Sequence, residues 1–270
     1  MAKYTVGFIG CGNMGGALAK AVAGKLPAES IAVSGKTRTR ADALAAELGV
    51  VSTTAEDVAE NSMWIFLAVK PQIFPAVLPE ISDILKNRKD RFVVVSMAAG
   101  LKTESICDML GFTVPLIRIM PNTPVSVGKG MTLYAANEKV TEEETRVFCE
   151  TMEHSGIVDP LEEKLIDAGC SVSGCGPAFV FMFIEAMIDA GIKCGLPEDK
   201  ARNYVIQTII GSAELLKNSG SDPKQLREAV CSPGGSTIEG VKELESREFY
   251  DAVMSAIKAS YDKNVLLGNK

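Results

Sequence analysis

The stretch Cys231-Ser232-Pro233-Gly234-Gly235-Ser236-Thr237 sets a proline and two glycines directly before two hydroxyl residues. An apolar-periodic run, Ile238-Glu239-Gly240-Val241-Lys242-Glu243-Leu244, follows at once. This pattern predicts a tight turn feeding the first turn of a helix. A helix start presents backbone N–H groups without intrahelical acceptors and the positive end of a dipole, so it attracts an anion. From these residues alone two readings stand side by side: an anion-holding turn, or an ordinary helix start with Ser236 or Thr237 as N-cap.

A second glycine cluster lies near the N-terminus, Gly10-x-Gly12-x-x-Gly15. It follows the apolar run "YTVGFI" and opens a helical pattern over about residues 13–23, which is the context a dinucleotide-binding turn requires. Gly10 permits the sharp turn, Gly12 lets a pyrophosphate approach the backbone, and Gly15 lets helix and strand pack closely. Ile9, Gly10, Cys11, Gly12, Asn13 and Met14 are therefore expected against the cofactor. An NAD site usually carries an acid at the end of the second strand to hold the ribose 2′-hydroxyl. Residues 33–40 read Val-Ser-Gly-Lys-Thr-Arg-Thr-Arg, with no acid. Ser34, Lys36 and Arg38 suit a 2′-phosphate, so NADPH is expected over NADH; the other reading leaves Lys36 and Arg38 as solvated loop charges. In open parallel sheets ligands sit outside the carboxyl ends of strands. Ala68, Val69, Lys70 and Pro71 end one strand pattern, and Met97, Ala98 and Ala99 end the next. Asn122 and Thr123, in the proline-stiffened "MPNTP", are expected to reach toward the nicotinamide.

Composition narrows the chemistry. The chain has 270 residues, 47% hydrophobic and 23% charged, with a formal net charge of -6. That balance, with no dense Lys/Arg cluster, disfavours a nucleic-acid partner. Its seven cysteines are scattered without a C-x-x-C, and there is one histidine, so no metal site is expected. His154 reads as a polar residue near a helix end, which disfavours a dehydrogenase built on a His–Asp pair. No cleavable leader is evident, and "PAFVFMFIEAMI", interrupted by Glu185, is read as too short to span a bilayer. The location expected is cytoplasmic.

The elements that must position these residues fall into two kinds. Apolar, mostly unalternating runs, "YTVGFIG", "IAVSG", "MWIFLAV", "FVVVSMA" and "LIRIM", suit strands buried on both faces of a parallel sheet; "MTLYAA" and "GIVDP" are weaker candidates. Their alternation with helical stretches predicts a doubly wound, mostly parallel α/β Rossmann domain over residues 1–160. Helical patterns then occupy residues 161–270, with the boundary placed near 159–162. In the helix after Pro177, Phe179, Phe181 and Phe183 cannot share one face at about 100° per residue. A helix apolar all round needs burial, either in a subunit interface, the reading adopted, or within one subunit.

The motifs "GFIGCGNMG", "LAVKP", "SMAAG", "MPNTP", "SGCGPAF", "GLP" and "SPGGSTI", in this order, resemble pyrroline-5-carboxylate reductase over essentially the whole chain. The resemblance implies a Rossmann domain followed by an all-helical dimerisation domain, assembled as a homodimer or as a decamer of five dimers. It implies NAD(P)H-dependent reduction of 1-pyrroline-5-carboxylate to L-proline by hydride transfer to the C=N carbon. The substrate carboxylate would be held by backbone N–H groups of Gly235, Ser236 and Thr237. The Thr237 hydroxyl would lie by the ring nitrogen and relay a proton. Glu163 matches a position lining the proline site, the plain alternative being a solvated helix-start carboxylate. Ala229 stands where some members carry asparagine and contributes through its backbone; Ala55 likewise replaces a cofactor-side asparagine. Gly174 and Gly176 are expected to allow close packing. Two rivals remain in view: a β-hydroxyacid dehydrogenase, for which Lys164 lies near the place of the catalytic lysine, and a non-catalytic NADPH-binding module.

Overall fold

A computed structural model describes residues 2–268. One sheet contains β1 (Tyr4–Ile9), β2 (Ile31–Ser34), β3 (Val51–Ser52), β4 (Ser62–Leu67), β5 (Val93–Ser96), β6 (Leu116–Met120), β7 (Gly130–Ala136) and β8 (Gly156–Pro160). The spatial order is β3-β2-β1-β4-β5-β6-β7-β8. All neighbours are parallel except the antiparallel pair β6 and β7. Helices α1 (Asn13–Ala23), α2 (Arg38–Leu48), α3 (Ala55–Asn61), α4 (Phe74–Asn87), α5 (Thr103–Leu110) and α6 (Glu142–Thr151) connect the strands.

The unalternating strands are buried on both faces, and successive side chains enter different cores. Phe8 and Phe66 meet at a centroid distance of 4.7 Å in the core that holds Leu18, Trp64 and Phe148. Their neighbours Ile9 and Leu67 join the opposite core with Phe74, Leu78 and Ile81. Each large apolar side chain so buried contributes about 1.5–3 kcal/mol. The strand order reverses direction between β1 and β4, which opens a crevice at their carboxyl ends. Glycines close that corner tightly. Gly10 has φ +118°, and a Cβ there would lie 2.5 Å from the Ala68 carbonyl oxygen; a Cβ on Gly15 would lie 2.4 Å from the Gly10 oxygen.

Beyond β8 the described chain is helical: α7 (Ile166–Gly169), a π-turn at Cys170–Gly174, then α8 (Gly176–Lys193), α9 (Glu198–Ser219), α10 (Pro223–Ala229), α11 (Ser236–Ser246) and α12 (Phe249–Gly268). The change of character near residues 159–162 coincides with the end of β8. The first compact unit runs on to Cys175 and takes back the chain from Ser260 onward; Gly176–Ala259 form the second. One expectation is corrected. The stretch from Pro177 to Ile188, taken alone, is too short to span a bilayer. The helical run Glu163–Lys193 instead contains an 18-residue window of mean hydropathy 1.6, long and apolar enough by length and composition. Phe181 and Met182 are 62% and 68% exposed on this chain, so α8 is not an internal core helix of one subunit.

Candidate active site

The crevice is a groove of ≈ 530 Å³ lined by residues of three strand ends. Gly12, Asn13, Met14 and Gly15 come from the turn after β1, Ala68 to Pro71 from the end of β4, and Met97 and Ala99 from the end of β5. Gly12 is the N-cap of α1, has no side-chain cap, and a Cβ there would meet nothing within 4 Å. Uncapped amides beside open backbone suit a pyrophosphate. Ile9, Gly10 and Ala98 are buried behind this surface as its framework.

The cations sort differently from the sequence reading. Arg38 donates through Nε to Asp42 at 3.1 Å and through Nη2 to the Ser52 carbonyl at 3.3 Å. Arg40, two residues on, lines the groove. At about 100° per residue the two project from opposite faces of α2, which is the signal that separates them within the Lys36–Arg40 run. Lys36 is exposed. Ser34 is 2% exposed, and its hydroxyl donates to the Phe8 carbonyl at 3.1 Å. Cys11 donates to the Ser34 carbonyl at 3.1 Å, and burial pushes its thiol up to about 11. These two side chains therefore brace the turn after β1.

Two further expected residues are engaged within the chain. Asn122 donates through Nδ2 to the Ser173 carbonyl at 2.9 Å and accepts the Met131 N–H at 2.9 Å. It ties the loop after β6 to the π-turn. Glu163 accepts the Thr103 N–H at 2.7 Å and the Thr103 hydroxyl at 2.9 Å. Among the described residues no group of three or more His, Cys, Asp or Glu is placed to hold a metal ion.

In the second unit, α10 ends at Ala229, which is exposed. Pro233 and Gly234 then form a turn, with Gly234 at φ +74° and the Gly235 N–H donating to the Ser232 carbonyl at 3.0 Å. Proline at the second position and a positive-φ glycine at the third are the marks of a type II turn. Gly235 is the N-cap of α11, and no side chain caps the helix. Neither Ser236 nor Thr237 acts as N-cap. Of the three amides expected to hold an anion, that of Gly235 closes the turn. Those of Ser236 and Thr237, and both hydroxyls, have no partner among the described residues and stand exposed.

A family model described as pyrroline-5-carboxylate reductase dimerisation matches residues 163–267. Another, described as NADP oxidoreductase coenzyme F420-dependent, matches residues 5–100. The pyrroline-5-carboxylate reductase of Escherichia coli is 39% identical over 266 residues, covering 96% of each chain. The chain belongs to the pyrroline-5-carboxylate reductase family. The Danio rerio pyrroline-5-carboxylate reductase 3 is 36% identical, covering 99% of this chain and 93% of its own. A crystal structure of the Plasmodium falciparum pyrroline carboxylate reductase with NADP bound is 34% identical, covers 99% of both chains and superposes with a TM-score of 0.88. Membership accounts for the exposed apolar residues of α8, which falls inside the dimerisation match.

Proposed function

We propose that this protein reduces 1-pyrroline-5-carboxylate to L-proline with NADPH as electron donor. The observation that carries the reading is the match to the Escherichia coli reductase over 96% of both chains. The geometry supplies the chemistry. When bound, the reduced nicotinamide supplies a hydride to the imine carbon. The groove residues Gly12, Asn13 and Met14 meet the pyrophosphate, and Arg40, on the groove wall, meets the 2′-phosphate together with Lys36, which is exposed and does not line the groove. Amides of Ser236 and Thr237 hold the substrate carboxylate, each hydrogen bond to a charged group being worth about 1.5–3 kcal/mol. Ala229 borders this turn through its backbone. The Thr237 hydroxyl hydrogen-bonds the ring nitrogen as it becomes basic and passes it a proton from water.

Both rivals lack a supporting feature. Lys164 is 75% exposed and pairs with Glu162 at 2.6 Å, which suits a solvated ion pair and not a catalytic lysine. A non-catalytic module has no use for two free amides at the start of α11. In this reading residues 1–160 serve the nucleotide and residues 161–270 the substrate and the dimer, in line with the two family matches. The dimer is the unit of assembly, and light scattering separates it from a decamer of five dimers, at two chain masses against ten. All seven cysteines are free thiols, which suits the reducing cytoplasm.

The test is a coupled NADPH-oxidation assay over a panel of cyclic imino acids, with Thr237→Ala beside the wild type. We expect turnover on pyrroline-5-carboxylate and a kcat at least about 10-fold lower in the variant, within the range of acid–base assistance. Unchanged kcat would remove Thr237 from the mechanism; no turnover on any imino acid would overturn the function.

A further inference from the structure

We propose that Cys170 and Cys175 are a reversible modification site, closing to an intramolecular disulfide across the π-turn when a small-molecule disulfide of the glutathione type oxidises them. Five residues apart on an α-helix, two side chains point about 140° away from each other and do not meet. Here the turn is wider. The Cys175 N–H donates to the Cys170 carbonyl at 2.9 Å, the i→i+5 bond of a π-turn, which seats residue 175 one full turn above residue 170. Gly174 leaves room for the first sulfur: a Cβ there would lie 2.9 Å from Cys170 Sγ, so the sulfur fills the place that a side chain at 174 would take. The two thiols are hydrogen-bonded to each other.

The two sulfurs differ in the way a stepwise oxidation needs. Cys170 is 8% exposed, and burial, followed by its neighbours Cys175 and Asp167, pushes its thiol up to about 11. Cys175 is only half-buried, so it is the sulfur an oxidant reaches first. The Cys175 thiolate attacks one sulfur of the small disulfide, forms a mixed disulfide and expels one small thiolate. Cys170 then loses its proton to water and attacks Cys175 Sγ, expelling the second small thiolate. Two protein thiols are oxidised, one small disulfide is reduced, and its two thiolates take up the two protons released. Adjacency offsets the small thiolate fraction of Cys170 in the second step. Excess small thiol drives both steps backwards. The closed ring encloses Ser173, whose carbonyl takes the Asn122 Nδ2 N–H at 2.9 Å and whose hydroxyl donates to the Gly169 carbonyl at 3.0 Å. The loop after β6 therefore hangs on the segment that the disulfide fixes.

The experiment incubates the folded, fully reduced protein with oxidised glutathione, quenches with acid, alkylates the remaining thiols and maps the peptides by mass spectrometry. Wild type, Cys170→Ser, Cys175→Ser and Cys194→Ser are compared, the last removing the exposed cysteine. The proposal predicts a Cys170–Cys175 link, two hydrogens lighter than the reduced segment, in wild type and in Cys194→Ser, and its loss on adding excess dithiothreitol. Cys170→Ser should stop at a glutathione adduct on Cys175, because the second sulfur is gone. Cys175→Ser should leave Cys170 at least about 10-fold slower to take up glutathione than Cys175 is in Cys170→Ser. A lasting glutathione adduct on Cys175 in wild type, no reaction at either sulfur, or a link that forms only in denaturant would each overturn the proposal. Should a serine variant fail to fold, the wild-type map decides alone. None of these readouts needs turnover, so the result stands apart from the reductase reading.

Discussion

Replacing Ser236 by proline removes one backbone N–H from the start of α11 and little else. Ser236 is the first residue of the helix, where an amide has no intrahelical acceptor and proline is favoured. The preceding Gly235 sits at φ -79° and ψ 165°, the extended conformation that a residue before proline requires. The serine side chain makes no hydrogen bond among the described residues and is exposed, so its loss costs the fold little. The lost interaction is one N–H to carboxylate bond, worth about 1.5–3 kcal/mol, or roughly a 10- to 150-fold drop in kcat/KM for the imino acid. The assay is initial-rate NADPH oxidation at saturating NADPH, with Ser236→Ala as the control that keeps the amide and loses the hydroxyl. The account predicts a large drop for Ser236→Pro, a change within about threefold for Ser236→Ala, and the same thermal midpoint for both as for wild type. Ser236→Pro that folds normally and keeps its kcat/KM would show that this amide holds no carboxylate.

The cation assignment predicts that Arg40→Ala lowers kcat/KM with NADPH about 10-fold or more while sparing NADH. Arg38→Ala, whose guanidinium already pairs with Asp42, should change the NADPH value less than about threefold; equal losses in the two variants would refute the assignment. A pH prediction follows from Glu144, whose carboxyl is held below the usual carboxylate range by its hydrogen bonds with Arg91 and the Thr141 amide, against some cost of burial. A depressed folded pKa contributes stability that is present above the unfolded value of about 4.3 and is lost as pH falls through the folded value. Glu144→Gln should therefore cost about 1 kcal/mol at pH 7, with the gap to wild type closing in denaturant titrations between about pH 5 and pH 3; a gap that widens in acid would contradict this.

The sheet was legible because its strands are apolar on both faces and its glycines sit at spacings that one turn geometry demands. The Pro233-Gly234 pair likewise announced the turn before α11. Less visible were pairings that depend on where distant backbone comes to rest. Glu163 finds Thr103 across 60 residues, and Asn122 finds Ser173 across 51. No spacing in the sequence encodes either. Arg40 was hidden within a run of three cations, where only the phase of α2 decides which one faces the groove. That Gly235 spends its amide on closing the turn was implicit in the type II pattern. The antiparallel direction of β7 left no mark on its side chains, because it too is largely buried.

The most direct test of the central claim compares two substrates that differ by one group. The values of kcat/KM would be measured with NADPH for 1-pyrroline-5-carboxylate and for 1-pyrroline, the same ring without its carboxylate. Two amide hydrogen bonds to an anion predict at least about a 100-fold preference for the acid. Equal values would mean that the start of α11 does not recognise the carboxylate, and the proposed site would fall with it.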